Sequence, residues 1–138
     1  TKELSTAVFR RKTRSRGLMA RIDIRLKRVY DPVEEEDGFR VLVDRIWPRG
    51  MTKVRLKADL WLKDVAPSTD LRKWFNHEHS RWEEFKSRYF FELREKSEMV
   101  NQLCDLAAKG RVTLLFSASD NQYNQAVALR EYLMNMKK

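Results

Sequence analysis

Asp44, Arg45, Trp47, Pro48, Arg49 and Gly50 follow directly on Val41-Leu42-Val43. The three β-formers, with no polar residue between them, read as a strand buried on both faces. The residues after it carry chemistry. Arg45 and Arg49 can hold a phosphate or carboxylate through paired N–H donors at any ordinary pH. Trp47 can stack on a base or sugar. Asp44 can act as a general base, a metal ligand or an arginine's partner. A second group follows another apolar run, Val112 to Phe116: Ser117, Ser119 and Asp120 offer two hydroxyls and a carboxylate ahead of a final helix. The N–H groups and dipole at that helix's start would favour an anion. Tyr30 stands just beyond a first, half-buried strand.

Two buried strands separated by a long helical segment imply a parallel pair with a crossover. Ligands of open parallel sheets bind outside the carboxyl ends of the strands, and both groups leave such ends. Asp44 and Asp120 are therefore the catalytic candidates, and Tyr30, Arg45, Trp47, Arg49, Ser117 and Ser119 the ligand-binding ones. The competing reading of the same residues is structural. In it, Asp44 pairs with Arg45 or another arginine, Trp47 fills the core, and Ser119 or Asp120 only caps the helix. No nucleophile–base pair can be read, so binding is better supported than catalysis and the question of an enzyme stays open.

The elements that must position these groups follow from periodicity. Ile22, Ile24 and Leu26 alternate with Asp23, Arg25 and Lys27 in a strand that runs on to Tyr30, and Asp31-Pro32 ends it. The acids Glu34 to Asp37 read as a solvated turn before Gly38 resets the chain. The connection to the second strand, eight residues from Asp31 to Gly38, is shorter than the dozen or so of a usual parallel crossover. Periodicity thus leaves the first strand's direction open. Leu56, Leu60, Trp61 and Val65 predict a helix over Lys53 to Val65. Pro67 stops it, and Ser68 or Thr69 caps the next helix, through Leu71, Trp74 and Phe75. A longer helix starts at Arg81, with Trp82, Phe85, Tyr89 and Leu93 as core. Its stripe resumes at Val100, Leu103 and Ala107 after a polar gap, with Cys104 as a buried structural thiol. The last helix places Tyr123, Ala126, Leu129, Leu133 and Met136 on one face.

Composition bounds the rest. A chain of 138 residues with 42% hydrophobic and 36% charged residues suits a single soluble domain. No stretch approaches the ~20 apolar residues of a membrane span, and no secretory signal is present, so no membrane partner is expected. The single cysteine excludes an internal disulfide and fits a reducing compartment, hence the cytoplasm. The net charge of +9 is uneven: residues 1–21 carry seven of the 29 basic side chains and one of the 20 acidic ones, leaving 22 and 19 for residues 22–138. The organisation is thus a basic, disordered extension at 1–21 and one α/β domain at 22–138. Met19 directly precedes the first patterned segment, so residues 1–18 can lie upstream of the natural start. The sequence holds no glycine-rich phosphate loop, G-x-S-x-G elbow, CxxC pair or HExxH helix. His77-Glu78-His79 reads as an exposed loop, without a third ligand for a metal. No metal or cofactor is expected.

Four stretches also carry a resemblance: Val29 to Pro32, Asp37 to Gly50, Pro67 to Arg72 and Thr113 to Asp120. In order and spacing, over about residues 22–135, the chain resembles the YeaO-like family of uncharacterised bacterial proteins, part of a larger domain-of-unknown-function superfamily. The resemblance implies a compact Rossmann-like α/β domain with a small, mainly parallel sheet flanked by helices, and favours a parallel first strand. It matches Asp44-Arg45 to an acid–arginine pair after the second strand. Many distant members show a Glu after the later strand, then Cys-His-Arg downstream. This chain has Ala118 and Asn124-Gln125-Ala126 there, so any chemistry of that set does not carry over.

The expected function is the binding, with processing left open, of a small anionic ligand such as a nucleotide or phosphorylated metabolite at the strand ends. The alternatives are nucleic-acid binding through residues 1–21 with surface Arg and Lys, and a protein-interaction module.

Overall fold

The computed structural model describes residues 22–136. The basic extension at 1–21 lies outside the described residues. Among the described residues four strands form one all-parallel sheet: β1 (Ile24–Arg28), β2 (Phe39–Leu42), β3 (Leu60–Trp61) and β4 (Val112–Phe116), in the order β1-β4-β2-β3. The fold class is therefore α/β. The first strand is parallel, and the short connection is resolved by this order. β1 and β2 are not neighbours: both pair with β4, with Ile24 and Phe39 each opposite Val112. The chain between them returns past β4 with a single 3-10 turn at Glu35–Asp37.

That turn is not wholly solvated, as the acidic run suggested. Glu34, Glu35 and Glu36 are exposed, but Asp37 is buried. It accepts hydrogen bonds from Lys27 Nζ at 2.8 Å, Arg40 Nη1 at 2.5 Å and the Glu34 amide at 3.0 Å. Gly38 has φ +68°, and a Cβ there would sit 2.4 Å from the Arg111 carbonyl oxygen, which accepts from the Phe39 amide. Both the turn and the close approach require glycine.

Among the described residues five α-helices flank the sheet: α1 (Lys53–Leu56), α2 (Thr69–Phe75), α3 (Trp82–Arg94), α4 (Ser97–Lys109) and α5 (Gln125–Met136). Two expectations are corrected. The segment predicted as one helix over Lys53 to Val65 is α1, then β3, then a 3-10 turn at Lys63–Val65. Lys57, left-handed at φ 51°, ends α1, and Asp59 pairs its amide with the Arg40 carbonyl and its carboxylate with the Arg40 amide. Sheet pairing thus outweighs the helical spacing of Leu56, Leu60 and Trp61. The long helix from Arg81 is likewise two, because Lys96 leaves helical geometry and sends its ammonium to the Ala66 carbonyl at 2.9 Å.

Alternating side chains divide the core. Val41, Val43, Val112, Leu114 and Phe116 pack with Phe85, Tyr89, Leu93 and Leu129 in the main cluster. Leu42, Leu115 and Val29 pack with Met51 and Leu56 in a smaller one on the other face. Trp82 and Cys104 are buried as expected, whereas Met136, expected on the buried face of the last helix, is exposed. Among the described residues no helix is long and apolar enough to cross a membrane.

Candidate functional site

Because every strand runs the same way, the carboxyl ends Arg28, Leu42, Trp61 and Phe116 share one edge of the sheet. A cleft of about 560 Å³ opens beyond it, within the roughly 300–1,000 Å³ of small-molecule sites. All four strand-end loops contribute: Tyr30 after β1, Asp44 to Arg49 after β2, Ala66 and Pro67 after β3, and Ser117 and Ala118 after β4.

Asp44 lies at the buried part of this lining, 7% exposed. Its Oδ2 accepts from the Ser117 amide at 2.9 Å and the Ser117 hydroxyl at 2.6 Å, and its Oδ1 accepts from Gln125 Nε2. Among the described residues no cation forms a hydrogen bond or ion pair with it. Burial pushes its pKa above the usual carboxylate value. The Ser117 and Gln125 hydrogen bonds and the charge of Arg72 pull the other way without cancelling that push.

Arg45 does not pair with Asp44. It turns to the β3 side, donating to the carbonyls of Ala66 at 3.1 Å and Pro67 at 3.3 Å and approaching Asp64 at 3.5 Å. The same loop is held by Tyr89 through the Val65 carbonyl at 2.7 Å, by Lys96 through Ala66, and by Glu92 through the Ser68 amide and hydroxyl. Burial, with the nearby Arg45 charge, holds the Lys96 pKa below its usual value. This clamp fixes the start of α2, where the Ser68 hydroxyl accepts from the Leu71 amide at 3.1 Å, an ordinary N-cap. One turn into α2, Arg72 and Lys73 line the cleft.

Trp47 lines the cleft and has a supporting role as well: its indole donates to the Met51 carbonyl at 2.5 Å and meets Trp61 edge to face at 5.3 Å. Trp61 in turn donates to the Asp44 carbonyl at 2.7 Å. Tyr30 donates to the Arg49 carbonyl at 2.9 Å, tying the first loop to the second. Among the described residues, the charged ends of Arg49, Arg72 and Lys73 make no hydrogen bond or ion pair at 4 Å or closer, although all three line the cleft.

The structure thus brings Tyr30, Asp44, Arg45, Trp47, Arg49 and Ser117 together and leaves Ser119 and Asp120 outside the lining. Ser119 is exposed. Asp120 shapes the turn: it accepts from the amides of Gln122 at 2.9 Å and Tyr123 at 3.0 Å, and meets His79 Nε2 at 2.7 Å. Those two amides, with His79 adding to them, hold its pKa below the usual value. His79 also packs on Tyr123 with ring centroids 4.1 Å apart, so the His77 to His79 loop is docked against the β4–α5 loop. The final helix starts later than the serines suggested. Asn124 is its cap, accepting from the Val127 amide at 3.0 Å and donating to the Asp120 carbonyl at 2.7 Å.

Arg72, Lys73, Asn124 and Gln125 were not candidates from sequence. The signal for Arg72 was present in the Pro67 to Arg72 stretch. It could not be read as a site without β3, which makes that stretch another strand-end loop. Ala118, Asn124 and Gln125 line the same cleft. None of the three can supply a thiolate or a carboxylate. Among the described residues no cluster of three metal-ligating side chains occurs.

A family model described as the inactive DUF488-N3 subclade matches residues 23–138. The chain is similar to Uncharacterized protein YeaO of Escherichia coli, with 43% identity over 115 residues, 83% of this chain and 100% of that protein. It is also similar to Uncharacterized protein Rv3073c of Mycobacterium tuberculosis and Uncharacterized protein Mb3100c of Mycobacterium bovis. Each is 39% identical over 110 residues, covering 80% of this chain and 92% of the relative. No solved structure matches.

Proposed function

The chain belongs to the inactive DUF488-N3 subclade, and from that premise we propose that its strand-end cleft binds, without turnover, a small anionic ligand such as a nucleotide or phosphorylated metabolite. The observation that carries this reading is the set of cations Arg49, Arg72 and Lys73 around one cleft, with no hydrogen bond to spend on the protein among the described residues. Guanidinium groups already committed to carbonyls, such as Arg45, hold structure; uncommitted ones beside a concave apolar wall are available to a phosphate. Binding is favoured over catalysis by the subclade's description and by Ala118 and Asn124, which offer no acid or nucleophile. In this reading the sheet is used as in Rossmann-like domains, with the ligand outside the carboxyl ends, and the protein works in the cytoplasm.

Calorimetric titration with nucleoside 5′-monophosphates and inorganic phosphate tests it. Arg72→Ala and Arg49→Ala should each weaken binding by about 10-fold or more, the range for one charge-assisted hydrogen bond, while leaving the melting temperature nearly unchanged. Equal affinity in both variants, or no binding of any anion by the wild type, overturns the reading. A polyanion bound by the basic extension would instead weaken steeply with salt and be lost on deleting residues 1–18.

A further inference from the structure

Resting on that anion-binding reading, we propose that the ligand is a phosphate monoester bearing a hydroxyl close to its phosphate, a sugar phosphate alone or within a nucleotide, with the hydroxyl donating to Asp44 and the phosphate held by Arg72 and its neighbouring cations. An ionised carboxylate offers about four acceptor positions. Asp44 uses three: two on Oδ2 for Ser117 and one on Oδ1 for Gln125. The remaining position belongs to a buried carboxylate in the lining of the cleft. A group seated there must donate, because a second anion would meet a carboxylate that no cation among the described residues touches.

Arg72 sets the other end. It lines the same cleft as Asp44, and its charge pulls the Asp44 pKa down. A ligand that meets both carries a phosphate and a hydroxyl on one small framework, as a pentose phosphate does. The cleft, about 560 Å³, has room well beyond one phosphate. Its apolar lining includes Trp47, Phe75 and Tyr123, surfaces suited to the C–H face of a sugar or to a base. A bare inorganic anion would use the cations and leave both Asp44 and this lining idle.

The experiment is calorimetric titration of the full chain with ribose 5-phosphate, adenosine 5′-monophosphate, phenyl phosphate and inorganic phosphate. Ribose 5-phosphate, the nucleotide or both should bind at least 10-fold tighter than phenyl phosphate, which has the anion and a ring but no hydroxyl. The two hydroxylated probes separate a free sugar phosphate from a nucleotide. Asp44→Asn should remove most of that preference while changing phenyl phosphate affinity by less than about threefold. Phenyl phosphate binding as tightly as both hydroxylated probes overturns the proposal, as does an Asp44→Asn variant that weakens all the phosphates alike. Should Asp44→Asn fail to fold, the wild-type comparison of hydroxylated and unhydroxylated phosphates still decides. Failure of every probe to bind defeats the underlying anion-site reading; binding without discrimination defeats only the hydroxyl assignment.

Discussion

Asp37 and Asp44 flank the same strand, are almost equally exposed at 6% and 7%, and each accept three hydrogen bonds. Their surroundings differ in depth and in the charge of the donors. Two of the donors to Asp37 are the cations Lys27 and Arg40, whereas those to Asp44 are a hydroxyl, an amide N–H and a carboxamide. Burial pushes the Asp37 carboxyl up, but Lys27, the Glu34 amide and Arg40 outweigh it and leave the group below its usual pKa. At Asp44 burial wins. Equal surface exposure and equal bond count therefore do not set the direction of the pKa: Asp44 sits deeper in the protein and its larger burial penalty is offset by no cationic donor, whereas that of Asp37 is offset by two. Asp37 stands in a saturated network: Lys27 also binds Glu34 and the Pro32 carbonyl, Arg40 also binds the Leu56 and Lys57 carbonyls, and the Thr113 hydroxyl donates to the Asp37 carbonyl. Around Asp44 the cations line a cleft without touching it. In the proposed reading, charge is sealed where it holds the fold and left unsealed where the ligand would enter.

The largest effect should come from breaking the sealed side. Asp37→Ala strands the Arg40 guanidinium, 4% exposed, and the Lys27 ammonium, 14% exposed. Removing one partner of a buried pair costs about 3–5 kcal/mol, so urea unfolding should show a loss of that size. The pH dependence has a definite sign. With its folded pKa lowered, Asp37 contributes fully above its unfolded value of about 3.9 and loses that contribution as the pH falls through the folded value. The variant should therefore lack part of the acid-induced loss seen in wild type.

Arg45→Ala is the intermediate case and separates positioning from ligand contact. The guanidinium donates to the Ala66 and Pro67 carbonyls, and that loop leads into the helix carrying Arg72. Lys96, Tyr89 and Glu92 still hold the loop, so the cost should be about 1–2 kcal/mol, near that of one charge-assisted hydrogen bond. Anion affinity should fall less than in Arg72→Ala. A larger affinity loss with unchanged stability would make Arg45 a ligand contact instead.

How much of this was legible in the sequence follows from the same contrast. The buried strands Val41-Leu42-Val43 and Val112 to Phe116 declare themselves by continuous β-formers, and with them Asp44, Arg49 and Ser117 at the strand ends. Asp37 was hidden in a run of four acids, because only the fold shows that Lys27 and Arg40 converge on it. Arg72 was hidden because two residues, Leu60-Trp61, make β3 by pairing with Val41 and Leu42. Local spacing cannot reveal such a strand, since its stabilisation comes from a partner about twenty residues away. The direction of Arg45 was equally non-local, set by carbonyls freed where the chain leaves the 3-10 turn.

The smallest effect, and the one that distinguishes the two aspartates most directly, is the stability of Asp44→Asn across pH. A carboxyl whose folded pKa is raised binds its proton more tightly in the folded state. Between the unfolded value of about 3.9 and the raised folded value, wild-type stability should thus fall as pH rises, opposite in sign to Asp37. Asparagine cannot ionise, so the variant should lose this slope. Its carboxamide can still accept from Ser117 through its oxygen, and Gln125 can turn its own oxygen toward the new amide, so most hydrogen bonds survive in altered form. The net change at neutral pH should be within about 1 kcal/mol, and the slope is read by urea unfolding in steps upward from the unfolded pKa of about 3.9. A slope unchanged from wild type would mean that Asp44 is as well paid for in charge as Asp37, and the contrast between the sealed and unsealed sides of β2 would fail.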